Sequence, residues 1–549
     1  MMGAEAGREH AISHSSTRLF GRVSVNRTID RAMRYGLTIC LFVLCPRWSD
    51  AQSITSDEIP AGASARSGSE ILRQVDLLVQ QNAELEKQNR TLMSEIGSLR
   101  QALAKQLDET AAKEPAVTEE IALSTSESPG PPPEGISSTP SARTSAAQEE
   151  KKTWWSPYTP NQGFKFANTE YGDASLSVYA YARYLNQRAL DPTYTNAFGV
   201  TSTLQQRQDF QLNKVQFKFL GWMMDPKFRY FLYAWTSNAS QGLGAQVVLA
   251  GNLSYNFTKS FVVGAGIFSL PGTRSLEGNF PFWLAVDSRH IADEFFRPSY
   301  SSGIRVSGVI GKTMNYQAMI ANNLSTLGVS AAQLDNSFNT VVSAFVWMPT
   351  TGEFGAGFGD FEDHQKVATR FGAHFSRSHE TRQEQPNSDA FENTQIRLTD
   401  GSVVFVPNLF GPNTLVNAVD YTMSALDFGV KYHGYALEGE YFMRWLNHWE
   451  GPGTGIIPTD FSNGYQIQSS AMVIQKTLQV YLGGSEIMGH YGRPWDLRTG
   501  VNYFPFKNRV IRWNSEFLYT NRSPVGYTSV PFALGGTGPI FTTTLEMAY

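Results

Sequence analysis

The chain has 549 residues, of which 41% are hydrophobic, 13% aromatic and only 17% charged, with a formal net charge of -4. That charge gives no basic face for a nucleic-acid partner. Few charges, many aromatics and 47 glycines suit an extensive β architecture better than a helical enzyme.

The N-terminus carries Arg31 and Arg34 ahead of an apolar run from Leu37 to Cys45, with Ser49 and Ala51 at the spacing of a signal-peptidase site. Residues 1–51 therefore read as a secretory signal peptide, with Met33 as an alternative start. Leu44 is bulky where a lipoprotein signal has a small residue, which disfavours a lipidated Cys45. Cleavage before Gln52 removes both cysteines, so the mature chain has neither disulfides nor thiolate chemistry. No later run reaches the ~18 apolar residues of a transmembrane helix.

Residues 52–70 read as a flexible N-terminus. Residues 71–109 carry a heptad register: Ile71, Val75, Leu78, Asn82, Leu85, Asn89, Leu92, Ile96, Leu99 and Leu103. This predicts a coiled coil whose Asn82 and Asn89 fix register at some cost in stability. Its rod would be roughly 50 Å long at about 1.5 Å per residue. Residues 110–153 are dominated by Pro, Ser, Glu and Ala, which predicts a disordered linker.

From "WWSPY" at Trp154 the pattern turns to period two. Val215, Phe217 and Phe219 oppose Gln216 and Lys218. Leu426, Phe428 and Val430 oppose Asp427 and Lys431. Leu437, Tyr441 and Trp445 oppose Glu438, Glu440 and Arg444. Ile511, Trp513 and Phe517 oppose Arg512, Asn514 and Glu516. Short turns at Asp225-Pro226, Lys259, Lys312, Gly434 and Lys507 alternate with longer loops, the longest from Ser376 to Tyr421. About 16 strands begin near Ala174 and end at Tyr549. Residues 154–549 thus predict an all-β, transmembrane antiparallel β-barrel. Its apolar face would meet lipid, with aromatics at the interfaces.

Three segments carry a family resemblance: Val262 to Gly308 with its Ser275-Leu276-Glu277, Gly464 to Gly484, and Gly500 to Thr520. In order and spacing they resemble the phosphate-selective porin O/P family of Gram-negative outer membranes. The resemblance implies a 16-stranded homotrimeric channel with loops folded inward, and a coiled coil on the periplasmic side. Its solutes would be small and hydrophilic, anions above all.

Selectivity in a pore comes from diameter and from rings of charge. The candidate anion-lining residues are Arg274, Arg289, Arg297, Arg305, Lys431, Arg444 and Arg512, with Lys214, Lys218 and Arg370 as further strand positions. Arg suits phosphate because its planar fork binds two oxygens. Against this, both signs interleave along the chain: Asp427 stands beside Lys431, Glu438 and Glu440 beside Arg444, and Asp287, Asp293 and Glu294 among the loop arginines. A general or weakly anion-preferring pore follows more readily than a phosphate-specific one.

His290, His364, His374, His379 and His433 show no metal-ligand spacing, and neither a nucleophile elbow nor a P-loop occurs. The sequence therefore predicts no catalytic residues, no metal and no cofactor. The final strand, "FTTTLEMAY", would close the barrel against the first. Leu545, Met547 and Tyr549 face lipid and form a recognition signal for barrel-assembly machinery. Peptidoglycan is the expected partner of the coiled coil. An envelope tether, with the barrel as a mere anchor, is the alternative function.

Overall fold

The computed structural model describes residues 163–549, apart from 237–246, 278–282, 331, 335–337, 356, 387–393 and 528. The expected signal peptide, coiled coil and linker lie outside the described residues.

Two strands precede and open the wall: β1 (Phe164–Thr169) and β2 (Gly172–Asn186). A small external hairpin follows, β3 (Thr193–Thr195) with β4 (Thr201–Thr203). The wall continues through β5 (Gln208–Met223), β6 (Asp225–Thr236), β7 (Val247–Thr258), β8 (Phe261–Ser269), β9 (Tyr300–Ile310), β10 (Met314–Ala321) and β11 (Thr340–Trp347). It runs on through β12 (Ala368–Thr381), β13 (Ala418–Tyr432), β14 (Tyr435–Glu450), β15 (Asp460–Ile474), β16 (Leu478–Met488), β17 (Trp495–Tyr503), β18 (Ile511–Asn521) and β19 (Gly538–Ala548). β2 and β5 to β19 form a closed antiparallel ring of 16 strands. Two short helices, α1 (Arg274–Glu277) and α2 (Ile291–Phe296), lie between β8 and β9.

Closure runs through Met547↔Ala180 and Phe541↔Asn186. Beyond the end of β19, the amide and carbonyl of Tyr549 bond the carbonyl and amide of Val178, at 2.8 and 2.7 Å. β1 then takes over the same edge of β2, from Phe164↔Leu176 to Thr169↔Gly172. The Phe164 and Tyr549 rings lie 6.0 Å apart, so the two chain segments meet end to end along one strand line. No edge of the ring is left open, which removes the unpaired backbone groups an exposed edge would carry.

The wall is inside out relative to a water-soluble protein. Outward residues such as Phe217, Leu426, Trp513 and Leu545 are 43–56% exposed, whereas inward Lys431, Arg444, Glu516 and Glu546 are exposed at 2% or less. The strict alternation in the sequence produces this directly, since successive side chains on a strand point to opposite faces. No helix among the described residues is long and apolar enough to cross a membrane.

Short connections gather at one end: Met224 between β5 and β6, Gly311–Thr313, His433–Gly434 and Gln475–Thr477. Long ones gather at the other. The loop expected from Ser376 to Tyr421 is shorter, residues 382–417, because β12 and β13 both run further than their sequence pattern suggests. One connection breaks the rule: residues 348–367, between β11 and β12, form a long insert at the short-turn end.

Candidate functional site

The lumen is shaped by two inserts that enter from opposite ends. From the long-loop end, residues 270–299 fold inward and are buried along almost their whole described length. Ile291, Phe295 and Phe296 of α2 pack on Tyr421, Met423 and Phe442 of the wall and on Val404, Val525 and Phe532 of neighbouring loops. The Phe296 and Phe442 rings stack with centroids 5.2 Å apart. This apolar cluster lies inside the long-loop end of the barrel, against the β12–β19 side.

Polar contacts brace the same insert. Within it, Arg289 Nη1 lies 2.9 Å from Glu294 Oε1, and Arg297 Nη2 lies 2.7 Å from Glu294 Oε2. Burial works against the ionised Glu294 carboxyl, but Arg297 and Arg289 overcome it and hold the pKa down at about 2. Ser275 Oγ donates to Asp293 at 2.9 Å and accepts from Arg289 Nε at 3.0 Å, tying α1 to α2. To the wall, the Arg274 amide donates to Glu440 (2.9 Å), Arg498 Nη2 donates to the Arg289 carbonyl (2.6 Å), and Arg512 Nη1 donates to the Trp283 carbonyl (2.6 Å).

Glu277, His374 and Asp427 place carboxylate and imidazole atoms within 4.8 Å of one another. Arg370 already occupies the centre, at 2.6 Å from Glu277 and 2.7 Å from Asp427. Both nitrogens of His374 face acceptors, Nδ1 the Pro271 carbonyl at 3.1 Å and Nε2 Asp427 at 2.9 Å. The group is a brace between α1 and the wall.

The second insert, residues 348–367, enters from the short-turn end. Gly352, Gly355, Gly357 and Gly359 all take φ between 73 and 76°. Such left-handed backbone is open to glycine at little steric cost. A Cβ at Gly359 would sit 2.5 Å from Gln479 Nε2, and one at Gly429 on the wall would sit 2.4 Å from the Phe354 ring. The insert lies that close because both positions lack side chains. Its Gly357 carbonyl accepts from Lys431 Nζ at 2.9 Å and from Arg274 Nη2 at 3.0 Å. The Gly359 amide donates to Glu438 at 2.9 Å, and Lys431 sits over the Phe354 ring. At its outer end His364 bonds Asp360 Oδ1 through Nδ1 and Glu353 through Nε2, at 2.5 and 3.2 Å. Burial disfavours the charged imidazole, but these two carboxylates outweigh burial and raise its pKa to about 9.

The β7–β10 side is different. Inward Asn252, Ser254 and Asn256 on β7, Gly303 and Arg305 on β9, and Asn315 and Gln317 on β10 remain partly accessible. The β12–β19 side buries its inward positions. Arg305, partly accessible, and Lys218, buried on the inner face of β5, have no carboxylate within salt-bridge distance among the described residues; Arg305 lies over the Phe268 ring, 4.2 Å from its centroid.

The structure thus separates the residues picked from sequence. Arg274, Arg289 and Arg297 belong to the long-loop insert; Arg289 and Arg297 are committed to Glu294 there, and Arg274 to Gly357 of the opposite insert and Glu438 of the wall. Arg512 on β18 is held by Glu546 at 2.5 and 2.9 Å. Arg444 on β14 bonds Ser462 at 3.1 Å and covers the Phe295 ring. Lys431 holds the opposite insert. Only Arg305 of that set stands on the accessible side without an acidic partner among the described residues.

The expected charge partners within one strand are corrected. Asp427 pairs with Arg370 rather than Lys431, Glu438 lies 3.6 Å from Arg274, and Arg444 lies 3.7 Å from Asp460. Residues i and i+4 on a strand share a face but stand roughly 13 Å apart, beyond direct contact. The short-turn insert was missed altogether. Its signal is in "TGEFGAGFGDFEDH", where closely spaced glycines alternate with phenylalanines that a solvent turn would not carry.

No family model matches this sequence, and no curated protein matches it. Solved structures similar to this one are outer-membrane β-barrels. They include an anion-selective porin from Comamonas acidovorans, with 11% identity, 69% of this chain and 100% of that one covered and a TM-score of 0.43. The outer-membrane channel DcaP of Acinetobacter baumannii has 8% identity, 70% and 99% coverage and a TM-score of 0.44. OmpF of Salmonella typhi, in a daunomycin complex, has 10% identity, 70% and 100% coverage and a TM-score of 0.41.

Proposed function

We propose that this chain is a channel of the Gram-negative outer membrane that passes small hydrophilic solutes by diffusion, with a preference for anions. The observation that carries the reading is the wall itself: a closed ring whose outer face is apolar and whose inner face is charged. An edgeless barrel satisfies every backbone group internally, which hydrocarbon demands. Its polar interior then offers water and solutes the only hospitable path.

The preference for anions rests on Arg305, which is partly accessible from the lumen, and on Lys218, buried in the inner face of β5; neither has a neutralising carboxylate among the described residues. Membership of the phosphate-selective porin O/P family, homotrimeric assembly and phosphate as a solute extend the reading. They rest on the resemblance of Val262–Gly308, Gly464–Gly484 and Gly500–Thr520. Leu545, Met547 and Tyr549 would serve barrel-assembly machinery, and residues 71–109 would lie in the periplasm and reach peptidoglycan. The chemistry proposed is transport without catalysis.

Liposome swelling tests the reading. Proteoliposomes placed in isotonic small sugars should swell faster than empty ones. Swelling equal to that of empty liposomes would refute a diffusion channel.

One observation favours the tether reading: α2 and residues of the neighbouring loops build an apolar cluster inside the long-loop end of the barrel, on the β12–β19 side. On that reading the barrel anchors and the stalk reaches the cell wall. Deleting residues 71–152 would then detach the envelope while leaving solute uptake unchanged.

A further inference from the structure

The outer face of β12–β14 changes character abruptly toward the long-loop end. Phe371, Phe375, Leu426, Phe428 and Tyr441 give a continuous apolar surface. The row Arg377↔Thr422↔Trp445 ends it, with the Trp445 ring 5.2 Å from Phe461. An outward Trp-Phe pair of this kind marks the membrane–water interface. One row further out stand His379 and Asp420, paired across β12 and β13.

His448 joins them through a backbone irregularity. Inward positions on β14 are even-numbered from Glu438 to Leu446, so His448 should point into the lumen. The β13–β14 register shifts between Ala418 and Asp420, and His448 takes φ 49°. A bulge of this sort re-aims a side chain. It turns His448 outward, with its side chain 74% exposed, and sends Trp449 in against Phe410. His448 Nδ1 then lies 2.9 Å from Asp420 Oδ2, His379 Nδ1 lies 2.8 Å from Asp420 Oδ1, and Arg377 Nη2 lies 3.8 Å from Oδ2. A non-glycine residue held at positive φ is strained and persists where the surroundings require it.

We infer that Arg377, His379 and His448, oriented by Asp420, form a binding site for the phosphate of a membrane lipid headgroup. One carboxylate bonds the two imidazoles, with the Arg377 guanidinium close beside it, and leaves the Nε2 edges of both imidazoles and most of the guanidinium free of that carboxylate. With both imidazoles protonated, Nε2 as well as Nδ1 donates, and the three side chains then present N–H donors at the aromatic row and just beyond it, where lipid phosphates lie. Charge-assisted hydrogen bonds of this type suit a phosphate. The inference rests on the membrane-spanning reading of the wall but not on conductance.

The test titrates the purified full-length protein, in non-ionic detergent, with short-chain phosphatidic acid, with phosphatidylcholine of equal chain length, and with inorganic phosphate. Bound ligand is counted by native mass spectrometry. Wild type should prefer phosphatidic acid over phosphatidylcholine by roughly tenfold. The double variant H379N/H448N should lose most of that preference, and R377Q, which leaves the His-Asp-His contacts intact, several-fold. Equal binding of the two lipids, or variants that bind phosphatidic acid like wild type, would overturn the site. Inorganic phosphate that competes at concentrations equal to the lipid would overturn the assignment to a headgroup. Unaltered solute conductance in both variants separates this outcome from failure of the channel reading.

Discussion

Lys431 on the barrel wall donates to the carbonyl oxygen of Gly357, 2.9 Å away at the tip of the short-turn insert. The same oxygen accepts from Arg274 of the opposite insert. One carbonyl therefore joins the wall, the insert from one end and the insert from the other. Beside it Phe358 of the short-turn insert packs with Trp283 and Leu284 of the opposite insert and Tyr481 of the wall, so the junction combines charge-assisted bonds with a small apolar cluster, and removing a single donor should loosen it.

Lys431→Met removes one of the two donors at Gly357. A hydrogen bond to a charged group contributes about 1.5–3 kcal/mol, so residues 348–367 should exchange amide hydrogens faster while the wall strands do not. Single-channel records should show added current noise. Protection of the insert identical to wild type would mean that Lys431 does not hold it.

Lys218→Gln and Arg305→Gln should each move the zero-current potential in a KCl gradient toward the cation value. A unit charge at 8 Å in water contributes roughly 0.5 kcal/mol, about a twofold change in ion partition. The double variant should shift further than either single one. An unchanged potential in the double variant would remove these two residues from selectivity.

The pairing Arg512–Glu546 offers a stability test. Glu546→Gln alone strands a buried guanidinium and should cost about 3–5 kcal/mol, whereas the double variant R512M/E546M should cost less than that single change. Heat-modifiable gel mobility reads the difference as a shift in unfolding temperature.

His364 predicts an alkaline response. Asp360 and Glu353 hold its pKa up at about 9 despite burial, above the ~6.5 of a free imidazole. The stabilisation of the insert is thus complete below about pH 6.5 and is lost as pH rises through 9. Current noise should grow between pH 7 and pH 10 in wild type and be flat over that range in His364→Gln.

Deleting Tyr549 removes both of its backbone bonds to Val178 and its bond from Ser177 Oγ. The fraction of chains assembled into membranes should fall several-fold. Those that do assemble should keep the wild-type unit conductance.

The wall was legible in the sequence because alternation is a local signal. Phe217 against Lys218 and Trp513 against Arg512 need no tertiary information to be assigned to opposite faces. The partners were not legible. Arg370 meets Glu277, and Arg274 meets Glu438, across gaps set by how two inserts fold into the barrel. Local spacing instead suggested Asp427 with Lys431, which the strand rise keeps apart. The short-turn insert hid for a related reason: glycines at 352, 355, 357 and 359 look like a turn, and only the phenylalanines between them hint at a buried segment. His448 was missed because a bulge reverses the face its position implies.

The central claim is that the barrel conducts. Purified protein added to a planar lipid bilayer should give discrete, reproducible current steps, and the zero-current potential in a KCl gradient should carry the sign of chloride preference. Protein that is shown to be folded and inserted yet gives no steps would contradict the account.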